Sequence, residues 1–85
     1  MDITEYTKIR NELIGHKFRH FKGHKIIIKD ITVDTENEEY RVIYHHINNP
    51  DIIWDRPYSM FTSKVDKKKY PNVEQEYRFE RIDGE

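Results

Sequence analysis

The stretch His16-Lys17-Phe18-Arg19-His20-Phe21-Lys22-Gly23-His24-Lys25-Ile26-Ile27-Ile28-Lys29-Asp30-Ile31-Thr32-Val33 decides the fold. From His16 onward the side-chain period is two, and β-branched residues crowd the second half. Lys17 to Phe21 and Lys25 to Val33 are therefore predicted strands. Phe21-Lys22-Gly23-His24 is predicted to turn between them, with Gly23 supplying a backbone angle that other side chains resist.

Composition points the same way. The chain holds twelve Ile and four Val against one Leu and no Ala, with eleven aromatic residues. β-Branched and aromatic side chains fit a pleated, half-buried surface, whereas Leu and Ala are the better helix formers. At 85 residues there is material for one domain with one core.

Toward the C-terminus, Asp34 to Glu39 reads as an acidic turn or tip. Tyr40 to Ile47 alternates again, with Tyr40, Val42 and Tyr44 on one face and Ile43 and Ile47 on the other. Asn48-Asn49-Pro50-Asp51 reads as a loop and Ile52-Ile53-Trp54 as a short strand ended by Arg56-Pro57. Met60 and Phe61 sit where one helical turn would aim both inward. Asp66 to Asn72, with its Lys67-Lys68-Lys69 run, reads as a loosely held loop. A last strand is predicted over Glu76 to Ile82, with Tyr77 and Phe79 on one face. Toward the N-terminus, Tyr6, Ile9 and Leu13 recur at helical spacing within Asp2 to Ile14. Asp2 or Thr4 can cap that helix and Gly15 can stop it. So thin a stripe has to dock on the rest of the domain or on a partner. The expected fold is mainly β: a small, partly open, five-stranded barrel over residues 16–85 with an N-terminal α-helix extension over residues 1–15.

Several function classes are disfavoured. There is no cysteine, hence no disulfide framework, thiolate nucleophile or thiolate ligand. Met1-Asp2-Ile3-Thr4-Glu5 has neither the basic start nor the apolar run of a signal peptide. No apolar run exceeds three residues, so no membrane partner is expected and the cytoplasm is the expected location. Fifteen basic and sixteen acidic residues nearly cancel, which argues against a general nucleic-acid coat. Ser59 and Ser63 lack a nucleophile-elbow context. Enzymatic activity is not expected.

Between Phe18 and Ile82 four separated blocks occur in a telling order. They are Phe18-Arg19-His20-Phe21-Lys22-Gly23, then Glu39 with Val42-Ile43-Tyr44, then Trp54-Asp55-Arg56-Pro57-Tyr58-Ser59-Met60-Phe61, and last Arg78-Phe79. This series resembles a small bacterial and phage family called domain of unknown function 1653. That family's pattern is an aromatic-Arg-His-x-Lys-Gly opening, a Glu before a Val-Val-Tyr strand, a Trp-Val-Arg-Pro-x-x-Met-Phe core and a closing Arg-Phe. The resemblance implies an SH3-like barrel. Asp55 stands where the pattern has an apolar residue, and the helix before Gly15 is additional.

Local chemistry singles out two places. His16 to Lys29 carries five basic residues and three histidines with no acidic one, interleaved with Phe18 and Phe21. That mixture suits a flat, anionic ligand; the alternative is a solvated strand whose long side chains cover core aromatics. Phe18 and His20 share one strand face while Arg19 and Phe21 share the other, so the basic groups cannot all converge. His16, His20 and His24 fall four apart, but on a strand and turn rather than a helix, so a polar surface is expected there and no metal. The second place is Trp54-Asp55-Arg56-Pro57, where a stacking plane and a bidentate guanidinium adjoin. Its alternative buries Trp54 in the core and pairs Arg56 with Glu39.

The reading is a non-enzymatic binding module for an anionic small ligand of nucleotide type, with no cofactor. Its candidate site takes Arg19, His20 and Lys22 from the hairpin, with Glu39, Tyr44, Trp54 and Arg56 from the following strands. A phage-encoded sequestering protein would suit the size and the family's distribution. One rival is an SH3-like protein-interaction adaptor, with Tyr40, Tyr44, Trp54 and Tyr58 lining a peptide groove. Another is a nucleic-acid-binding small barrel. A second copy of the chain is also an admissible partner.

Overall fold

The computed structural model describes residues 1–84. Strand β2 (Lys25–Val33), rich in isoleucine, is the middle strand of one antiparallel sheet. On one side of it lie β3 (Tyr40–His46) and then β4 (Asn49–Pro57). On the other lie β1 (Lys17–His20) and then β5 (Phe79–Arg81). Two helices complete the described residues, α1 (Ile3–Leu13) and the single turn α2 (Tyr58–Phe61).

Registers across the sheet set one face inward. Phe18 lies opposite Ile26, Ile28 opposite Tyr44, and Ile31 opposite Val42. Strict alternation from Ile28 would bring Asp30 inward. A bulge between Ile28 and Asp30 resets the phase, so Ile31 is fully buried instead. Asp30 turns to Arg10 of α1 as its ion-pair partner.

The sheet is open but strongly curled. In a flat sheet the edges β4 and β5 would stand roughly 19 Å apart, four strand spacings. Yet the Arg56 guanidinium on β4 lies 5.3 Å from the Phe79 ring centroid on β5. Tyr44 of β3 reaches Phe79 at 6.0 Å. The inward faces meet across a half-closed trough. Phe61 of α2 fills its middle, stacked on Phe79 at 4.3 Å and edge-on to Phe18 at 5.3 Å. The mainly β, incompletely closed architecture expected from the sequence is the one observed.

Helix α1 plugs one end of the trough. Asp2 caps it by accepting from the Thr4 and Glu5 amides. Ile9 is buried in the same core as Ile28, Ile31 and Val42, with Tyr6, Leu13 and Ile14 packed around it. The Tyr6 hydroxyl donates to the Ile31 carbonyl at 2.7 Å, which ties the helix to the middle strand.

Four local expectations need correction. Asn48 to Asp51 is not a loop: the turn is confined to Ile47 and Asn48, and β4 runs nine residues from Asn49. Pro50 is tolerated there because β4 is an edge strand, where a missing N–H need not break a ladder. Met60 stays 45% exposed while Phe61 is buried, since neighbours on a helical turn point about 100° apart. Tyr77 is likewise exposed, because it precedes β5 and only bridges to Lys64, so it does not share the face of Phe79. The loop after Asp66 is held: the Asp66 carboxylate accepts from the Lys68 and Lys69 amides, and the Lys67 ammonium caps the Val73 and Gln75 carbonyls.

Candidate functional site

The end of the trough away from α1 is left open, and the strands place rings around it. Tyr44 and His46 alternate inward on β3, and Trp54 and Arg56 do so on β4, with Tyr44 registered on Trp54 and Val42 on Arg56. His20 ends β1, His24 precedes β2, and Phe79 opens β5. Together with Ile26 these side chains enclose a cavity of about 250 Å³.

Its wall is a collar of aromatic rings in sequence around the rim. Phe79 meets His20 edge-on at 5.0 Å, and His20 lies 6.2 Å from His24. His24 follows to His46 at 5.2 Å, and His46 to Trp54 at 6.0 Å. Ile26 and Tyr44 are buried beneath as the floor. Trp54 is 47% exposed, so it offers a free stacking face and is not a core residue.

Arg56 closes the collar between Trp54 and Phe79. Its guanidinium lies over the Phe79 face, and among the described residues it pairs with no carboxylate and donates no hydrogen bond. The carboxylate that the sequence offers it lies elsewhere. Glu39 accepts from the Ser59 hydroxyl at 3.1 Å and the Asn37 amide at 3.4 Å. Asp55, one residue away on the opposite face of β4, is taken by Arg41. That outward pairing is the reason a carboxylate is accommodated at position 55.

Burial, and secondly the charge of Arg56, push the His20 imidazole down from 6.5 to about 4. His20 is therefore neutral at pH 7. Its Nδ1 accepts from the Lys22 amide at 3.1 Å, which fixes the ring by the hairpin turn.

Of the residues named from the sequence, His20, Tyr44, Trp54 and Arg56 converge on the cavity. Arg19, Lys22 and Glu39 do not. Arg19 points to the opposite face, beside Glu74, Glu76 and Glu80. Lys22 lies over the Phe21 and Tyr70 rings, at 5.9 and 5.4 Å. Tyr40 and Tyr58 pack together at 6.3 Å near α1, Tyr40 also meeting Tyr6, so they share no groove with Trp54. The sequence reading missed His24, His46 and Phe79 as site residues. His46 had a signal, standing two residues beyond Tyr44 on the same strand face.

Of the histidines spaced by four, His20 and His24 meet in the collar and His16 does not join them. His16 lies at the far end of β1 with its Nδ1 2.8 Å from Asp83. Among the described residues no group of three His, Cys, Asp or Glu side chains could hold a metal ion. No helix among them is long and apolar enough to cross a membrane.

No curated protein and no solved structure matches the chain. A family model does. The blocks that build the collar, from His20 through Trp54 and Arg56 to Phe79, all lie within the matched residues 16–81, and the chain belongs to the family described as "Protein of unknown function (DUF1653)".

Proposed function

We propose that the chain is a non-enzymatic binding module that takes a flat, anionic small ligand of nucleotide type into the collared cavity. The observation that carries this reading is the pairing of Trp54 with Arg56. A half-exposed indole and a guanidinium that pairs with no described carboxylate stand two residues apart on one strand face, above the Ile26–Tyr44 floor. An indole stacks on any planar ring, and a guanidinium holds an anion by two parallel hydrogen bonds. The cavity's other walls are apolar or imidazole, which leaves a single permanent charge to orient the ligand. The fold serves as an SH3-like small barrel left open between β4 and β5, with the site in that gap.

The peptide-adaptor reading needs Tyr40 and Tyr58 alongside Trp54, and they pack beside α1 instead. The test is a thermal-shift screen of the chain against nucleosides and nucleotides. A ligand at 100 times its Kd adds about 2.7 kcal/mol to stability, enough to read as a shift of roughly 10–20 °C. Trp54→Ala should reduce the shift from any hit, and Arg56→Lys should reduce the shift from an anionic one. A hit that both variants retain would place binding outside the collar.

A further inference from the structure

We infer that the ligand class of this cavity is a nucleoside monophosphate: a planar heteroaromatic ring carrying one phosphate, not a di- or triphosphate. This rests on the binding reading above and narrows it. Charge is the first argument. Among the described side chains lining the cavity Arg56 alone carries a permanent charge, and a single guanidinium fork matches a single phosphate. His20 is held neutral beside it and adds no second cation at pH 7. Lys22, two residues beyond His20, lies over Phe21 and Tyr70.

The second argument is what a polyphosphate would need. Such chains are held by several cations, by a glycine-rich loop or helix N-terminus, or by a divalent ion carried on carboxylates. Among the described residues none of these features lines the cavity: there is no glycine, no carboxylate and no helix end. The third is size. About 250 Å³ falls below the roughly 300–1,000 Å³ of most small-molecule sites. One ring over the Ile26–Tyr44 floor, with a phosphate at Arg56, fills it and leaves the sugar toward solvent.

Titration calorimetry on the full chain tests this. The probes are adenosine, AMP, ADP, ATP and ribose 5-phosphate, with the GMP, CMP and UMP series beside them, at about 0.15 M salt. One monophosphate should bind at least about tenfold more tightly than the rest: its nucleoside leaves Arg56 idle, ribose 5-phosphate leaves Trp54 idle, and its triphosphate brings further charges that no lining cation meets. Arg56→Lys should remove most of the phosphate's contribution and leave nucleoside affinity unchanged. Trp54→Ala should weaken both. A triphosphate that binds as tightly as its monophosphate overturns this inference and leaves the binding reading standing. Equal affinity for nucleoside and monophosphate also overturns it, since Arg56 would then be idle. If no probe binds at millimolar concentration, the inference and the reading beneath it both fall.

Discussion

Arg56 and Glu39 were natural partners on paper, and their separation changes what a substitution should do. Removing one member of a buried ion pair strands the other and costs about 3–5 kcal/mol. Here the guanidinium rests on the Phe79 face without a carboxylate, so Arg56→Ala strands nothing. We expect Arg56→Ala and Arg56→Lys to unfold in urea within about 1 kcal/mol of the parent, the scale of a lost cation–π contact. A loss above about 3 kcal/mol would show a structural role. The same variant should act on its neighbour. The charge of Arg56 is the second cause, after burial, that holds His20 down at about 4. In Arg56→Ala the His20 imidazole should titrate at higher pH, visible in its ring proton shifts by NMR; an unchanged midpoint would mean that the two do not sense each other. At this scale Trp54 and Arg56 were legible because two residues on a strand share a face whatever surrounds them. The same rule separated Arg19 from His20. His24 and Phe79 were not legible, because their place depends on how far the sheet curls, which no local pattern encodes.

Helix α1 was the element most fully written in the sequence: its Asp2 cap, its Tyr6–Ile9–Leu13 stripe and its Gly15 stop are all where the spacing sets them. Its partner was not, since a stripe names only a face. The structure supplies the partner, the Ile31–Val42 end of the trough. Strand β4 shows the opposite case. Pro50 marked a break locally, and only the strand's position at the sheet edge makes that proline harmless. Two substitutions measure the helix's attachment. Ile9→Ala removes a side chain that is 6% exposed and should cost about 2–5 kcal/mol by denaturant melt. Tyr6→Phe deletes the hydroxyl's bond to the Ile31 carbonyl and the one it accepts from Arg10, and should cost about 1–3 kcal/mol. Neither should alter ligand binding, because α1 and the collar sit at opposite ends of the trough. A near-neutral Ile9→Ala would mean that the helix docks loosely.

For the molecule as a whole, an 85-residue chain is expected to hold only roughly 4–13 kcal/mol of stability, so a single mis-set proton matters. His20 takes up its proton near 6.5 when unfolded but only near 4 when folded, because burial and then the charges of Arg56, His24, Arg78 and Lys22 oppose it. Between those values the unfolded chain binds more protons, so stability must fall as pH drops from about 6.5 toward 4. Asp83 acts lower down. Its carboxylate accepts from the Lys17 amide at 3.0 Å, and that bond, then Arg81, brings it from 3.8 to about 2. Its contribution is complete above 3.8 and disappears as pH falls through about 2. The two windows do not overlap, so urea midpoints taken at pH 7, 5.5, 4.5 and 3 can assign each loss. His20→Gln should flatten the upper window and leave the lower one, and Asp83→Asn should do the reverse. A bound phosphate adds negative charge beside His20 and favours its protonation, so the ligand's protection should grow as pH falls from about 6.5 toward 4. A parent protein whose urea midpoint stays level from pH 6.5 to 4.5 would remove the neutral, half-buried His20 on which the charge balance of the cavity depends.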